Sequence, residues 1–301
     1  MKIYINKTQE NWVCDRFSHE FYRFNPQICT DDIDKADIIW VIAPWAFPHL
    51  DYLKNKKNII SIFHVVPDKF DVSRFEALNA VASGFHTICE KTKEFIKDFT
   101  SKPIYVEPFW VNQHIWKPLN KKNCRQELNL DQESFLLGSF QRDTEGNDLR
   151  SPKLEKGPDR FCDIAKKMYN EYKNIHVLLG GWRRQYVISR MNAEGIPYTY
   201  LELPSFEVLN KMYNSLDLYI VASRYEGGPQ AIPECCATRT PIISTDVGCA
   251  SIFLDKKNIF TYPDYTLSPP ANDLKLVNYE NVKHKFIPHG FDKFISSFMS
   301  C

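Results

Sequence analysis

Residues 223–250 read SRYEGGPQAIPECCATRTPIISTDVGCA, and the apolar run LYIVA comes directly before them. An apolar run, then Glu226-Gly227-Gly228-Pro229, then a helix-compatible stretch is the order strand, tight glycine loop, helix. Gly227 and Gly228 let a ligand approach the main chain, and Pro229 suits the first helical turn, where its missing N–H costs nothing. The unpaired N–H groups of a helix starting there point back into the loop and favour phosphate. Glu226 lies before that helix and Glu234 inside it, so their Cα atoms are expected roughly 12 Å apart at about 1.5 Å of rise per residue. That separation suits two ends of an extended ligand rather than a carboxylate pair sharing a proton. A second strand, PIIST, ends at Asp246-Gly248, and neighbouring strand ends in such a sheet converge on one crevice.

The rest of the chain fits an alternating α/β protein. From Phe135 the order is FLLGSF, a helical FCDIAKKMYNEY, the strand HVLLGG, a strand-like YTYLEL, a helical SFEVLNKMYNSL, and then the strand that opens the central motif. These runs are rich in Leu, Ile and Val, as buried parallel strands require. The first 115 residues give shorter runs at IYI, Ile38 to Ala43, Ile59 to Val66, His86 to Cys89 and Ile104 to Val106, a smaller domain of the same class. The expected division is residues 1–115, residues 116–275 including the linker, and a helical segment over 276–301 returning to the first domain.

Composition narrows the function. The 38 basic and 37 acidic residues among 301 leave no field that would gather nucleic acid. Nine cysteines include no C-x-x-C pair and are odd in number, which fits reduced thiols in the cytoplasm better than a secreted disulfide framework. The N-terminus lacks the apolar core of a signal peptide, and the longest apolar run, Ile38 to Phe47, is about half a membrane span. Peripheral contact with a membrane face stays open. The histidines follow no metal-ligand spacing, so no metal site is expected.

Further candidates surround the motif. Gly138-Ser139-Phe140-Gln141-Arg142 follows the first strand of the second half, and Lys156-Gly157 precedes the next helix; a guanidinium and an ammonium there would suit a diphosphate. Gly180-Gly181 ends the HVLL strand and permits close approach to backbone, with Arg183 and Arg184 weaker candidates. His64, in IFHVVPD, sits at a strand end where it could bond a sugar hydroxyl or move a proton. Each has a plain structural reading too: a solvated lysine, a packing glycine, a satisfied histidine.

Glu226 with seven residues to Glu234 resembles the signature of retaining GT-B glycosyltransferases, above all family 4. Gly138 to Arg142, Lys156-Gly157, His176 to Gly181 and Leu209 to Ser223 resemble the neighbouring elements of that family, so the likeness covers roughly residues 130–250. HTICEKTKEFI and PIYVEPFWVNQHIWKP are looser matches, and no glycine-rich loop stands near Trp12 to Arg16. The resemblance implies two Rossmann-like domains facing across a cleft, the first of them small, and transfer of a sugar, such as a hexose, from a nucleotide-diphosphate donor to a hydroxyl of a glycan, a lipid-linked intermediate or a small molecule. It implies no separate cofactor. Glu226 would touch the donor sugar, Gly227, Gly228 and Pro229 would lie beside sugar and phosphate, Glu234 would hold the ribose, and Arg142 and Lys156 would clamp the diphosphate, with Gly138, Ser139 and Gly181 lining the nucleotide. His64 would face the transferred sugar. The span from Arg142 to Lys156 is long, so Lys153 could take the place of Lys156. A sugar-nucleotide epimerase, a phosphorylase of similar fold and a noncatalytic nucleotide-sugar-binding protein are the competing readings; a dinucleotide oxidoreductase is disfavoured by the missing G-x-G-x-x-G.

Overall fold

The computed structural model describes residues 1–10, 13–48, 50–264 and 272–300; Trp12 and Cys301 lie outside these. The chain forms two compact units, Met1–Trp110 with Ile287–Cys301, and Val111–Phe286. Each is a parallel-sheet α/β unit of Rossmann-like design.

In the first unit the order is β1 (Ile3–Ile5), α1 (Val13–Phe24), β2 (Ile38–Val41), β3 (Lys57–Ile62), α2 (Val72–Val81), β4 (Gly84–Thr87), α3 (Glu90–Ile96) and β5 (Ile104–Val106). The five strands lie side by side in sequence order, all parallel. Because side chains alternate across a strand, β2 serves two cores: Ile38 and Trp40 pack with Phe17 and Phe21 of α1, while Ile39 and Val41 pack with Phe75 of α2 and Ile96 of α3. Trp40 is fully buried, and its indole N–H donates to Ser61 Oγ at 2.9 Å. Ser61 Oγ in turn meets His86 Nδ1 at 2.9 Å, and the other ring nitrogen of His86 reaches the Glu107 carbonyl at 2.8 Å. The polar atoms of an aromatic core are thereby satisfied, which burial demands.

The second unit comprises α4 (Lys121–Glu127), β6 (Phe135–Ser139), α5 (Pro158–Tyr172), β7 (Ile175–Gly180), α6 (Gln185–Glu194), β8 (Tyr198–Leu201), α7 (Phe206–Ser215), β9 (Leu218–Val221), α8 (Ala231–Thr238), β10 (Ile242–Thr245), α9 (Ala250–Phe253), β11 (Ile259–Phe260) and α10 (Asn272–Val282). Strand order is β11-β10-β9-β6-β7-β8, again parallel, with α5 and α6 on one face and α7, α8 and α10 on the other. The last helix, α11 (Asp292–Ser300), joins the first unit, where Phe294 and Phe298 pack on Trp40 with ring centroids 5.3 and 5.1 Å away. The two units divide after Trp110 and after Phe286: Val111 N–H donates to the Lys285 carbonyl at 2.9 Å, and Val282 of α10 lies in the core of the second unit.

One buried charge pair ties β6 to β7. Arg184 is fully buried and its Nε donates to Asp143 Oδ2 at 3.0 Å; Nη1 donates to the carbonyls of Ser139 and Gly180, and Nη2 to Ser139 Oγ at 3.1 Å. Asp143 also accepts from the N–H groups of Tyr186 and Val187 at the start of α6. All eight described cysteines are free and buried, and burial pushes the thiols of Cys14 and Cys162 up to about 12. Among the described residues no helix is long and apolar enough to cross a membrane.

Arg184→Met keeps the bulk but leaves the Asp143 carboxylate buried without its cation. Breaking one side of such a pair costs about 3–5 kcal/mol. Urea unfolding should show a loss of that size, and an unchanged midpoint would refute this account of the pair.

Candidate active site

The strand order of the second unit reverses between β9 and β6, and ligands in open parallel sheets bind beyond the carboxyl ends of strands at such a switch point. The loops after β6 and β9 carry Arg142, Lys156, Gly157 and Glu226 to that place. What brings the two loops together is glycine. Gly157 has φ +64°, and a Cβ on it would lie 1.9 Å from the Ala222 carbonyl oxygen and 3.2 Å from Ser223 N. Gly248, at φ +54° after β10, is equally crowded, its Cβ position 2.4 Å from Gly227 O and 3.0 Å from Glu226 O. Only a residue without a side chain permits either approach.

The product of this packing is an ion pair. Lys156 Nζ lies 2.5 Å from Glu226 Oε1, and the Glu226 side chain is only 6% exposed. Ser223 Oγ is 3.4 Å from the same carboxylate oxygen, and the Ser223 carbonyl accepts from Thr245 Oγ1 at 2.7 Å. Lys153 is engaged elsewhere, 3.5 Å from Glu155 Oε1. Gln141 Nε2 donates to the Lys156 carbonyl at 2.8 Å, which links the residue before Arg142 to the lysine loop. Arg224, two residues ahead of Glu226, forks onto both oxygens of Asp159 at 2.8 and 2.7 Å. Burial alone would raise the Asp159 pKa, but the Arg224 fork outweighs it and holds it below the usual value.

Helix α8 begins at Ala231, two residues later than Pro229 suggested. Gln230 precedes it in helical geometry, and the Pro229 carbonyl accepts from Ile232 N–H at 3.0 Å. The proline inside the first turn is Pro233, tolerated because that turn's N–H groups have no intrahelical partner. Glu234 lies in this helix and is 5% exposed, and Tyr213 from α7 donates its hydroxyl to Glu234 Oε2 at 2.8 Å. Burial first, then the charge of Glu234, drives the Tyr213 pKa far up, so the phenol stays a donor. Tyr213 carries no sequence signal beyond its place on an apolar helix.

Other candidates are more dispersed. Arg142 Nε donates to the Thr144 carbonyl at 2.7 Å. Gly138 faces the core, its Cβ position 2.2 Å from a Leu216 methyl, so its smallness serves the packing of β6 on the α7–β9 turn. Ser139 is bound by Arg184 through both hydroxyl and carbonyl. Gly181, at φ +91°, gives its carbonyl to the Tyr200 hydroxyl at 2.9 Å. Gly228 stays partly exposed, while Gly227 and Pro229 are buried. His64 belongs to the first unit, exposed in the turn after β3. Among the described residues no group of three His, Cys, Asp or Glu side chains is arranged to hold a metal.

The family described as Glycosyl transferases group 1 matches residues 149–272, the stretch that holds Lys156, Glu226 and Glu234. HepE from Anabaena in complex with UDP and glucose is 12% identical with a TM-score of 0.76, covering 99% of this chain and 98% of its own. Sucrose-phosphate synthase from Thermosynechococcus elongatus is 14% identical with a TM-score of 0.68, over 95% of this chain and 77% of its own. A TarM mutant from S. aureus, in complex with Fondaparinux, alpha-GlcNAc-glycerol and UDP, is 13% identical with a TM-score of 0.63, over 94% of this chain and 58% of its own. No curated protein sequence matches. The fold is thus of the GT-B type. With the match over residues 149–272, the enzyme class is glycosyltransferase.

Gly157→Ala should push the loop after β6 away from the loop after β9, and Gly248→Ala should do the same to the loop after β10. Strain of this kind costs roughly 1–3 kcal/mol, and the backbone clash adds to it. Thermal melts should fall for both variants, and a melt within error of the parent protein would contradict the packing role.

Proposed function

We propose that the chain transfers a sugar, with retention at the anomeric carbon, from a nucleoside-diphosphate sugar to a hydroxyl acceptor in glycan or glycoconjugate assembly. The observation that carries this reading is the part-buried Glu226–Lys156 pair at the β6/β9 switch point, with Glu234 eight residues on and oriented by Tyr213. A UDP-sugar is the proposed donor, since HepE is described in complex with UDP-glucose.

In this reading Glu234 takes the ribose hydroxyls and Tyr213 fixes its second oxygen. Glu226, held by Lys156, orients the sugar hydroxyls, with Gly227 and Gly228 presenting backbone beside sugar and phosphate. Arg142 meets the charge that develops as the bond from the anomeric carbon to the diphosphate oxygen breaks. The departing oxygen keeps the electron pair and takes the acceptor proton while the acceptor oxygen attacks the same face. This route asks for no protein-bound metal and no nucleophilic carboxylate. Lys156 acts here through Glu226.

A mass-spectrometric screen of nucleotide sugars and acceptors tests the activity, and NMR of the product's anomeric proton tests retention. Donor isomerisation or phosphate-dependent cleavage without transfer would sink the reading. Glu226→Gln should lower kcat/KM about 100-fold or more, as loss of a polar contact made in the transition state does. Tyr213→Phe should leave the fold intact and weaken UDP binding about tenfold by releasing Glu234, comparable to losing one hydrogen bond to a charged group; equal affinity by calorimetry would remove Tyr213 from the site.

A further inference from the structure

Two guanidinium groups lie close together after β6 and β7. Arg142 and Arg183 both stack on Trp182, their Cζ atoms 5.8 and 5.3 Å from ring centroids, and Trp182 is 52% exposed. Among the described residues no carboxylate forms an ion pair with either arginine. Arg183 is 8% exposed and held at φ +60°, a conformation that L side chains rarely adopt. Its Nη2 donates to the Gly146 carbonyl, its Nε is buried with no partner, and Nη1 makes no hydrogen bond to a described residue. Its own carbonyl is fixed by Asp143 N–H at 3.1 Å and Thr144 Oγ1 at 3.4 Å. Burial first, then the neighbouring Arg183, lowers the Arg142 pKa, while the charges of Glu145 and Glu155 oppose that shift. Holding like charges together with unused donors is unfavourable unless an anion completes the arrangement.

We infer that Arg142, Trp182 and Arg183 form a preorganised oxyanion site for the diphosphate of a nucleotide, in which Arg183 supplies a second guanidinium and Lys156 remains on Glu226. The inference rests on the donor reading above and adds a residue to it. Arginine suits the task because its planar fork grips phosphate oxygens in pairs. Trp182, within cation–π reach of both, offers its exposed ring to the nucleotide.

Calorimetric titration of the full chain with UDP, uridine and inorganic pyrophosphate tests the site. Arg183→Gln should weaken UDP and pyrophosphate about tenfold and leave uridine unchanged, in line with losing a charge-assisted contact. A folded variant that binds UDP as tightly as the parent overturns the inference. Should the variant fail to fold, the arginine Nε–H resonances of the parent protein decide. Movement of the Arg183 signal with pyrophosphate supports the site, and a static signal at saturating UDP overturns it. Pyrophosphate binding at Arg183 without turnover of any nucleotide sugar would keep the oxyanion site and sink the donor reading.

Discussion

Two backbone contacts at which a single carbon atom has no room govern the second unit. Gly157 against Ala222–Ser223 and Gly248 against Glu226–Gly227 bring three loops, from three different strands, to van der Waals distance. Ordinary side chains would hold these loops several ångströms apart, and Lys156 would then miss Glu226. The ion pair is therefore a result of backbone packing. Its net contribution to stability is small, because desolvating both partners offsets much of the attraction. Its value lies in fixing where a buried carboxylate points.

The Arg184–Asp143 pair does related work one strand away. It joins the ends of β6 and β7 and anchors the first turn of α6, so the loops bearing Arg142 and Arg183 start from a fixed frame. A guanidinium that serves two carbonyls, a hydroxyl and a carboxylate has little freedom left. The neighbouring Arg183, by contrast, retains donors that the protein leaves unfilled.

Much of this was legible in the residues. The alternation of Leu/Ile/Val runs with amphipathic stretches marks the strands and helices of the second unit, and glycines beside Glu226 and Lys156 mark the loops that meet. The family resemblance put Gly138 beside the nucleotide, yet its smallness answers to Leu216 in the core. A sequence cannot tell a glycine that admits a ligand from one that admits a leucine. Arg184 was only a weaker candidate because its partner, Asp143, lies 41 positions earlier and only the parallel pairing of β6 with β7 unites them. Tyr213 was hidden for a similar reason: one polar atom on an apolar helix shows its purpose only against Glu234. The start of α8 was misjudged by two residues because Pro229 and Pro233 both suit a helix's first turn.

The placement of α11 bears on how the chain matures. Phe291, Phe294 and Phe298 belong to the same aromatic core as Phe21, Trp40 and Trp110, so residues made first and residues made after position 286 complete one another. During synthesis the second unit has all of its own strands and helices before α11 emerges. The first unit at that moment still presents Trp40 and its neighbours to water. Its β1–β5 sheet must wait for, or be chaperoned until, the arrival of a nine-residue helix from the far end of the sequence.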